Sequence, residues 1–145
     1  MRRALVPPTA RTLGAIHRVL YRASGGRVGA RIWSLPVVLL TTVGRTTGKP
    51  RTTPLCALPT DGGFVVIASF GGMDEPPNWW LNLERSPTAA VQIGRQHFRV
   101  AARTTSGEER AELWARVTER APGYLAYARR TTREIPVVVL EPLPT

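Results

Sequence analysis

Three segments of strand-forming residues follow one another in the first half of this chain, and only short glycine-containing turns separate them. The first, Val37–Val43, is a continuous apolar and β-branched run, the pattern of a strand covered on both faces. Thr52–Leu58 and Phe64–Ser69 follow, and Pro59–Gly63 has the composition of a hairpin turn. Because tight turns join antiparallel neighbours, the sequence predicts an antiparallel meander.

The remaining elements extend this sheet and add helices. Thr88–Gly94 and Gln96–Arg103 alternate as a second hairpin, and Ile135–Leu140 is a valine-rich strand that Pro136 places at an edge or at a strand start. We expect helices over Asn78–Arg85, from a capping box at Ser106–Glu109 to about Arg120, and after Pro122. We therefore predict an α+β fold of about six mostly antiparallel strands, in a small closed or split barrel.

The turn between the first two strands is rich in cations. Arg45, Lys49 and Arg51 lie in or beside it, together with Gly44 and Gly48. Glycine exposes backbone N–H groups, while arginine and lysine bind phosphate. The stretch is not a nucleotide P-loop, because only three residues separate its glycines and proline follows the lysine. Two interpretations remain open at this point, an anion cradle and an ordinary polar hairpin tip.

Charge is concentrated at the start of the chain. Residues 1–35 contain seven arginines and no acidic residue, which leaves +3 of the net charge of +10 to the remainder. Residues 10–22 form a basic amphipathic pattern that fits either a membrane interface or packing on the domain. We divide the chain into a basic segment, 1–35, and a barrel domain, 36–145. No apolar run is long enough for a membrane helix and no signal peptide is evident, so we expect a cytoplasmic protein. Peripheral contact of residues 1–35 with anionic membrane is one of the two interpretations that stay open.

Soft metal ligands are few. The chain has one cysteine, Cys56, and two histidines, His17 and His97, scattered along the sequence. This set predicts neither an intrachain disulfide nor a zinc or iron site.

Three further clusters carry potential binding groups. Ala68–Gly72 ends the third strand with two glycines, Asn78–Asn82 combines two tryptophans with two amides, and Tyr124 and Tyr127 share one helix face. Each cluster also has an ordinary structural interpretation, as a turn or as core packing. Adjacent tryptophans on a helix point in different directions, so we expect one in the core and one partly exposed.

Taken together, these motifs resemble the deazaflavin-dependent nitroreductase family of actinobacteria from about Val37 to Pro142. The resemblance is carried by Leu39–Arg51, Pro54–Leu55, Ala68–Gly72, Asn78–Leu83 and Ile135–Val138. It implies a split β-barrel that uses coenzyme F420 and reduces quinones and, incidentally, nitroaromatic compounds.

The resemblance also implies where the site lies. It places the cofactor's phosphate and side chain at the cradle and the second strand, and its ring at the end of the third strand. The short helix would close over the bound cofactor. Tyr124 would border the reaction site, with Tyr127 nearby. The implied cofactor-binding residues are Arg45, Thr46, Thr47, Arg51, Thr52, Thr53, Pro54, Leu55, Cys56, Ile67, Ala68, Ser69, Phe70, Asn78, Trp79, Trp80, Leu81, Asn82 and Tyr124.

We expect hydride transfer from reduced F420 to a quinone or similar flat acceptor, with Ser69, Tyr124 and Tyr127 donating hydrogen bonds where negative charge develops. Phe70, Pro76 and Cys56 depart from the family pattern. These departures affect the expected identity of the electron acceptor more than that of the cofactor. Two alternatives remain open: a split barrel that binds flavin mononucleotide, and a basic module that binds nucleic acid. Nucleic acid is disfavoured because the aromatic residues belong to glycine and asparagine motifs rather than alternating with arginine.

Overall fold

A computed structural model describes residues 31–144 with the exception of Trp33. These residues form eight strands, three α-helices and a short 3₁₀ turn. The strands are β1 (Arg31–Ile32), β2 (Leu35–Val43), β3 (Pro50–Cys56), β4 (Leu58–Thr60), β5 (Gly63–Ile67), β6 (Thr88–Ile93), β7 (Gln96–Thr104) and β8 (Val137–Pro142). The 3₁₀ turn spans Phe70–Gly72, and the helices are α1 (Asn78–Arg85), α2 (Gly107–Arg120) and α3 (Gly123–Arg129).

The strands form one antiparallel sheet that curls on itself. Its order is β1-β2-β6-β7-β8-β5-β4, and β3 pairs with β2. β3 and β4 are consecutive along the chain and break at Ala57, whose N–H donates to the Pro36 carbonyl at 2.9 Å. The stretch from Pro50 to Thr60 therefore pairs with β2 in its first half and with β5 in its second. This double pairing brings the two ends of the sheet together as a barrel.

Alternation along the strands divides the apolar residues into two main clusters. The barrel interior contains Val38, Leu40, Val66, Val100, Val138 and Leu140, and α1 adds Trp79 and Leu83. On the outer face, α2 and α3 cover β5 and β8 through Leu113, Val117 and Tyr124, which pack against Val65, Ile67, Val137 and Val139. The two layers of packing confirm the α+β class and leave β3 at the border of the helix-covered face.

The structure differs from expectation in the number of strands. Eight form between residues 31 and 144 rather than about six, because Ala57 divides one expected strand and because β1 adds a two-residue pairing with Pro36 and Leu35. Pro136 precedes β8, so it marks the start of a strand rather than an edge. The amphipathic pattern at 10–22 and most of the basic segment lie outside the described residues.

The capping box was a wrong prediction, although α2 begins and ends as expected. Ser106 occupies the N-cap, but its side chain makes no capping hydrogen bond. The Glu109 carboxylate instead accepts from both terminal nitrogens of Arg103, at 2.6 and 2.9 Å. A bidentate, charge-assisted pair with arginine is stronger than a return bond to a backbone N–H, so Glu109 ties α2 to β7.

Candidate functional site

The cradle is a compact hairpin loop between β2 and β3. The Gly44 N–H donates to the Lys49 carbonyl at 2.8 Å, and the Gly48 N–H to the Gly44 carbonyl at 2.7 Å. Gly48 has φ +72°, a conformation that favours glycine. A Cβ on Gly44 would lie 2.9 Å from the Thr47 hydroxyl oxygen and 3.0 Å from the Lys49 carbonyl oxygen. The loop therefore requires both glycines, and it leaves Arg45, Thr46, Thr47, Lys49 and Arg51 exposed.

Two asparagines of α1 hold Arg45. Asn82 Oδ1 accepts from the Arg45 backbone N–H and from Nη1, both at 3.1 Å. Asn78 Oδ1 accepts from Nη2 at 3.3 Å. Asn82 is only 3% exposed, and its Nδ2 donates to the Thr42 hydroxyl at 3.0 Å. Since both partners are neutral amides, the Arg45 guanidinium is oriented without its charge being neutralised, which suits an anion-binding group.

The half-buried residues of β3 lie on two different faces. Leu55 pairs with Val38 and packs against the interior cluster, whereas Thr52 and Cys56 pair with Thr41 and Val37. The Thr41 and Thr52 hydroxyls are hydrogen-bonded at 2.8 Å. Thr53 and Pro54 are also half-buried. The strand thus leads from the cradle toward the helices on the outer face.

Cys56 meets Tyr124 at the far end of β3. Tyr124 is 6% exposed, and its hydroxyl donates to the Cys56 sulfur. Burial raises the pKa of the Cys56 thiol to about 11, and the hydrogen bond from Tyr124 opposes this. Burial, followed by the charges of Cys56 and Tyr127, raises the pKa of Tyr124 as well. Both groups are therefore neutral near pH 7. The ring of Tyr127 stands at 75° to that of Tyr124, with centroids 6.0 Å apart.

The segment after β5 has a left-handed backbone. Ile67, Ala68 and Ser69 are buried, and Phe70 is half-buried. Phe70, Gly71 and Gly72 have φ of +48°, +63° and +80°. Positive φ is unusual for phenylalanine and marks a backbone held by its surroundings. α3 provides part of that support, because a Cβ on Gly72 would lie 2.6 Å from the Tyr127 carbonyl oxygen.

The two tryptophans of α1 have separate positions. Trp79 is 5% exposed and belongs to the interior cluster. Trp80 is half-buried, and its Nε1 donates to the Thr104 hydroxyl at 3.0 Å; Leu81 is also half-buried. The prediction of one core and one partly exposed tryptophan is confirmed, while cofactor contacts by Trp79, Trp80 and Leu81 stay predictions.

Contacts link the predicted site residues into one series. Arg45 is joined to Asn78 and Asn82 of α1, and β3 joins the cradle to Cys56 and hence to Tyr124. Tyr124 contacts Tyr127, whose backbone packs against the turn that follows Ser69. The contacts thus run from the cradle at one end of β3 to the phenols at the other end, and from Tyr127 to the left-handed turn.

Two arginines of this region were missed in the sequence. Arg133 donates to the carbonyls of Ala68, Ser69 and Met73 at 3.2, 2.9 and 2.9 Å. Arg130 donates to the Gly71 carbonyl at 3.4 Å and lies 5.6 Å from the Tyr127 ring centroid. The available signal was a cluster of arginines directly after a helix.

A separate open cavity of about 380 Å³ lies on the outer face of β2, β6 and β7. It is lined by Leu39, Thr41, Ala90, Val91, Gln92 and His97. None of these residues was predicted to bind the cofactor. Thr41 connects the cavity to β3 through its bond to Thr52. Within the described part of the chain, no group of three His, Cys, Asp or Glu residues could hold a metal ion.

A family model described as F420H(2)-dependent quinone reductase matches residues 14–142. The chain belongs to the F420H(2)-dependent quinone reductase family. The resemblance drawn from the motifs is thereby confirmed, since this is a family of oxidoreductases whose cofactor is reduced F420.

Several relatives in the F420H(2)-dependent quinone reductase family are similar to this chain in sequence and in fold. The F420H(2)-dependent quinone reductase Rv1261c of Mycobacterium tuberculosis is 38% identical over 129 residues, which cover 86% of this chain and 87% of that protein. The solved F420-H2 dependent reductase FDR-A is 38% identical, with a TM-score of 0.67 over 73% of this chain and 94% of its own. A solved domain-swapped dimer is 34% identical, with a TM-score of 0.69 over 93% of this chain and 100% of its own. These likenesses confirm the split barrel.

From Arg31 to Pro144, leaving out Trp33, no helix of this family member is both long enough and apolar enough to cross a bilayer.

Proposed function

We propose that this chain transfers a hydride from reduced F420 to a quinone, with the anionic part of the cofactor at the β2–β3 hairpin and the redox ring between Tyr124 and the turn after Ser69. When bound, the reduced deazaflavin supplies the two electrons as a hydride. The observation that carries this proposal is Arg45, a cation that two neutral amides orient and that forms no ion pair with a described carboxylate.

The hairpin has the chemistry of an anion site. Arg45, Lys49 and Arg51 are exposed there, and no ion pair between described residues involves any of them. Arginine binds phosphate through two parallel N–H groups and lysine binds it as a point charge. Thr46 and Thr47 add hydroxyls beside these cations. We infer that this set binds the phosphate and side chain of F420.

The other end of β3 has the chemistry of a ring site. Ser69 and Tyr124 place hydroxyl groups among apolar side chains, and Gly71 in the left-handed turn has nothing within 4 Å of its Cβ position, which permits close approach of a flat ligand. We infer that Ile67, Ala68, Ser69 and Phe70 line the ring, together with the half-buried residues of β3.

Tyr124 is our principal donor to the acceptor oxygen. Its raised pKa keeps the phenol protonated at neutral pH, so it donates a hydrogen bond rather than a proton. In the described structure this donor is directed to the Cys56 sulfur, which is a weak acceptor. An oxygen of the quinone that develops negative charge accepts a hydrogen bond far more strongly than the sulfur does. The Tyr124 hydroxyl can therefore give up its bond to Cys56 and donate to the quinone oxygen at a small cost in free energy. Ser69 and Tyr127 are the second and third candidates.

The cofactor assignment is tested by titrating the purified chain with F420, with flavin mononucleotide and with duplex DNA. We expect saturable quenching of F420 fluorescence and no comparable response to the other two. Oxidation of reduced F420 in the presence of a soluble quinone should then exceed oxidation with a nitroaromatic compound. Preferential uptake of flavin mononucleotide, or salt-sensitive DNA binding without F420 uptake, would replace this proposal with the corresponding alternative.

We also propose that residues 1–35 contact anionic membrane, where apolar quinones reside. Seven arginines without an acidic residue support this, because each cation near an anionic surface contributes about 1 kcal/mol. Co-sedimentation with phosphatidylserine vesicles, compared with phosphatidylcholine vesicles, is the test. Equal partition to both would remove the membrane contact and leave the reductase assignment in place.

A further inference from the structure

The turn that follows Ser69 is held from one side by arginine. Phe70 has φ +48°, which a non-glycine residue keeps only where neighbouring groups determine it. The Ala68 N–H donates to the Pro136 carbonyl at 3.0 Å and fixes the start of the segment. The group that holds the strained residues themselves is Arg133, which lies just beyond α3.

Arg133 brackets the strained turn. Its Nη2 donates to the carbonyls of Ala68 and Ser69, and its Nε to that of Met73. One planar guanidinium therefore binds the backbone on both sides of the left-handed residues. Lysine cannot reproduce this, because its three donors radiate from a single nitrogen.

The environment of Arg133 argues against a general packing role. All three of its acceptors are neutral carbonyls, and within the described residues it forms no ion pair. Burial lowers its pKa, against the attraction of the Asp74 carboxylate, and Nη1 is buried without a hydrogen-bond partner among the described residues. Burying a charged guanidinium here costs free energy of folding. This cost fits a side chain whose role is to set the geometry of the turn.

We propose that Arg133 is a positioning residue for the cofactor ring: by bridging Ala68, Ser69 and Met73 it holds the left-handed turn in the form that receives the ring and presents the Ser69 hydroxyl. This proposal rests on the proposed function, and it adds a residue that does not itself touch the cofactor. Arg130, stacked on Tyr127 and bonded to Gly71, supports the same turn more weakly.

The experiment compares Arg133→Lys and Arg133→Met with wild type in the full chain. Arg129→Met is the matched control, because Arg129 is an exposed cation at the end of α3, four residues before Arg133. Hydrogen–deuterium exchange of the ligand-free protein is measured for the peptide covering 68–74 and for the β6–β7 hairpin. F420 affinity, and kcat and KM for a soluble quinone at saturating cofactor, complete the set.

We expect both Arg133 variants to exchange faster at 68–74 with β6–β7 unchanged, and to bind F420 more weakly by on the order of tenfold or more. The quinone KM should stay within about twofold of wild type, and Arg129→Met should match wild type throughout. Wild-type affinity and exchange in both variants would overturn the proposal. So would faster exchange everywhere with a lower Tm, which marks a general stabiliser, or full rescue by lysine, which marks charge alone. If wild type fails to bind F420, the proposed function fails, whereas the exchange data still decide whether Arg133 holds the turn.

Discussion

Arg45 donates to Asn82 Oδ1 twice, from its backbone N–H and from its guanidinium, each at 3.1 Å. One buried amide oxygen thus sets both the course of the loop backbone and the direction of a cationic side chain. Asn82 also donates to the Thr42 hydroxyl of β2. Asn82 of α1 therefore organises the proposed anion site through its contacts with Arg45 and Thr42.

Asn82→Asp separates orientation from charge. The carboxylate keeps an acceptor for Arg45, accepts from the Thr42 hydroxyl in place of the lost Nδ2 donor, and adds a negative charge. The loop should therefore retain its shape while the site loses net positive potential. We expect F420 affinity to fall about tenfold with little loss of stability, measured by fluorescence titration and thermal unfolding. Asn82→Ala should lower both, by about 1–3 kcal/mol in stability, because buried partners are left unsatisfied. Unchanged affinity in Asn82→Asp would show that Arg45 does not face the anion.

F420 binding should weaken as salt is added. Raising ionic strength from about 0.01 M to about 1 M shortens the Debye length from about 30 Å to about 3 Å, so exposed cations act less on a ligand anion. Lys49→Ala combined with Arg51→Ala should weaken binding at low salt and flatten the salt dependence. Arg116→Ala, which removes an exposed cation of α2, is the control and should leave the dependence as in wild type. If the double variant keeps the wild-type salt dependence, the anion of F420 does not bind at the hairpin.

Tyr124→Phe should lower kcat by about 10- to 100-fold, because the proposed donor to the acceptor oxygen is lost. F420 affinity should change far less, since the ring and its packing remain. Steady-state rates with a soluble quinone, together with F420 titration, measure the two effects. A wild-type kcat would transfer the role to Ser69 or Tyr127.

Stability should fall in alkaline solution as Cys56 ionises. Its folded pKa of about 11 lies above its usual 9.0, so between these values the native state binds more protons than the unfolded state. The sign of this difference makes unfolding easier as pH rises. The Tm of wild type should therefore drop more steeply from pH 9 to pH 11 than that of Cys56→Ser, in which the side chain no longer titrates but still accepts from Tyr124. Parallel curves would contradict the raised pKa.

Gly71 and Gly72 form a matched pair for testing the left-handed turn. Alanine at Gly71 meets nothing within 4 Å and incurs only the cost of φ +63°, about 1–2 kcal/mol. Alanine at Gly72 also places its Cβ 2.6 Å from the Tyr127 carbonyl oxygen, so this variant should lose clearly more stability. Chemical denaturation gives both values. Equal losses would show that α3 is not in contact with the turn.

Much of the barrel could be predicted because its strands obey local rules. Turn chemistry and alternation identified the β2–β3 and β6–β7 hairpins, and proline marked the start of α1. The break at Ala57 could not be predicted, since it depends on which distant strand pairs with each half. The capping box failed for a similar reason: Arg103, in another element, binds Glu109.

The candidate site divides in the same way. The cradle could be predicted from glycine and arginine in one loop, because the residues that shape the loop and the cationic residues are adjacent in sequence. The amide contacts of Arg45 and the carbonyl contacts of Arg133 join residues 33 to 65 positions apart. Such pairs carry no local pattern, and neither does the tyrosine hydrogen bond to Cys56.

β8 is the last strand along the chain, and it lies between β5 and β7. Until residues 137–142 have left the ribosome, the sheet is open between β5 and β7, and its two parts are joined only by the double pairing of β3 and β4. Closure needs pairings that are distant in sequence, which form slowly compared with hairpins. A nascent chain therefore gains the closed barrel around its proposed cofactor site only when β8 pairs with β5 and β7.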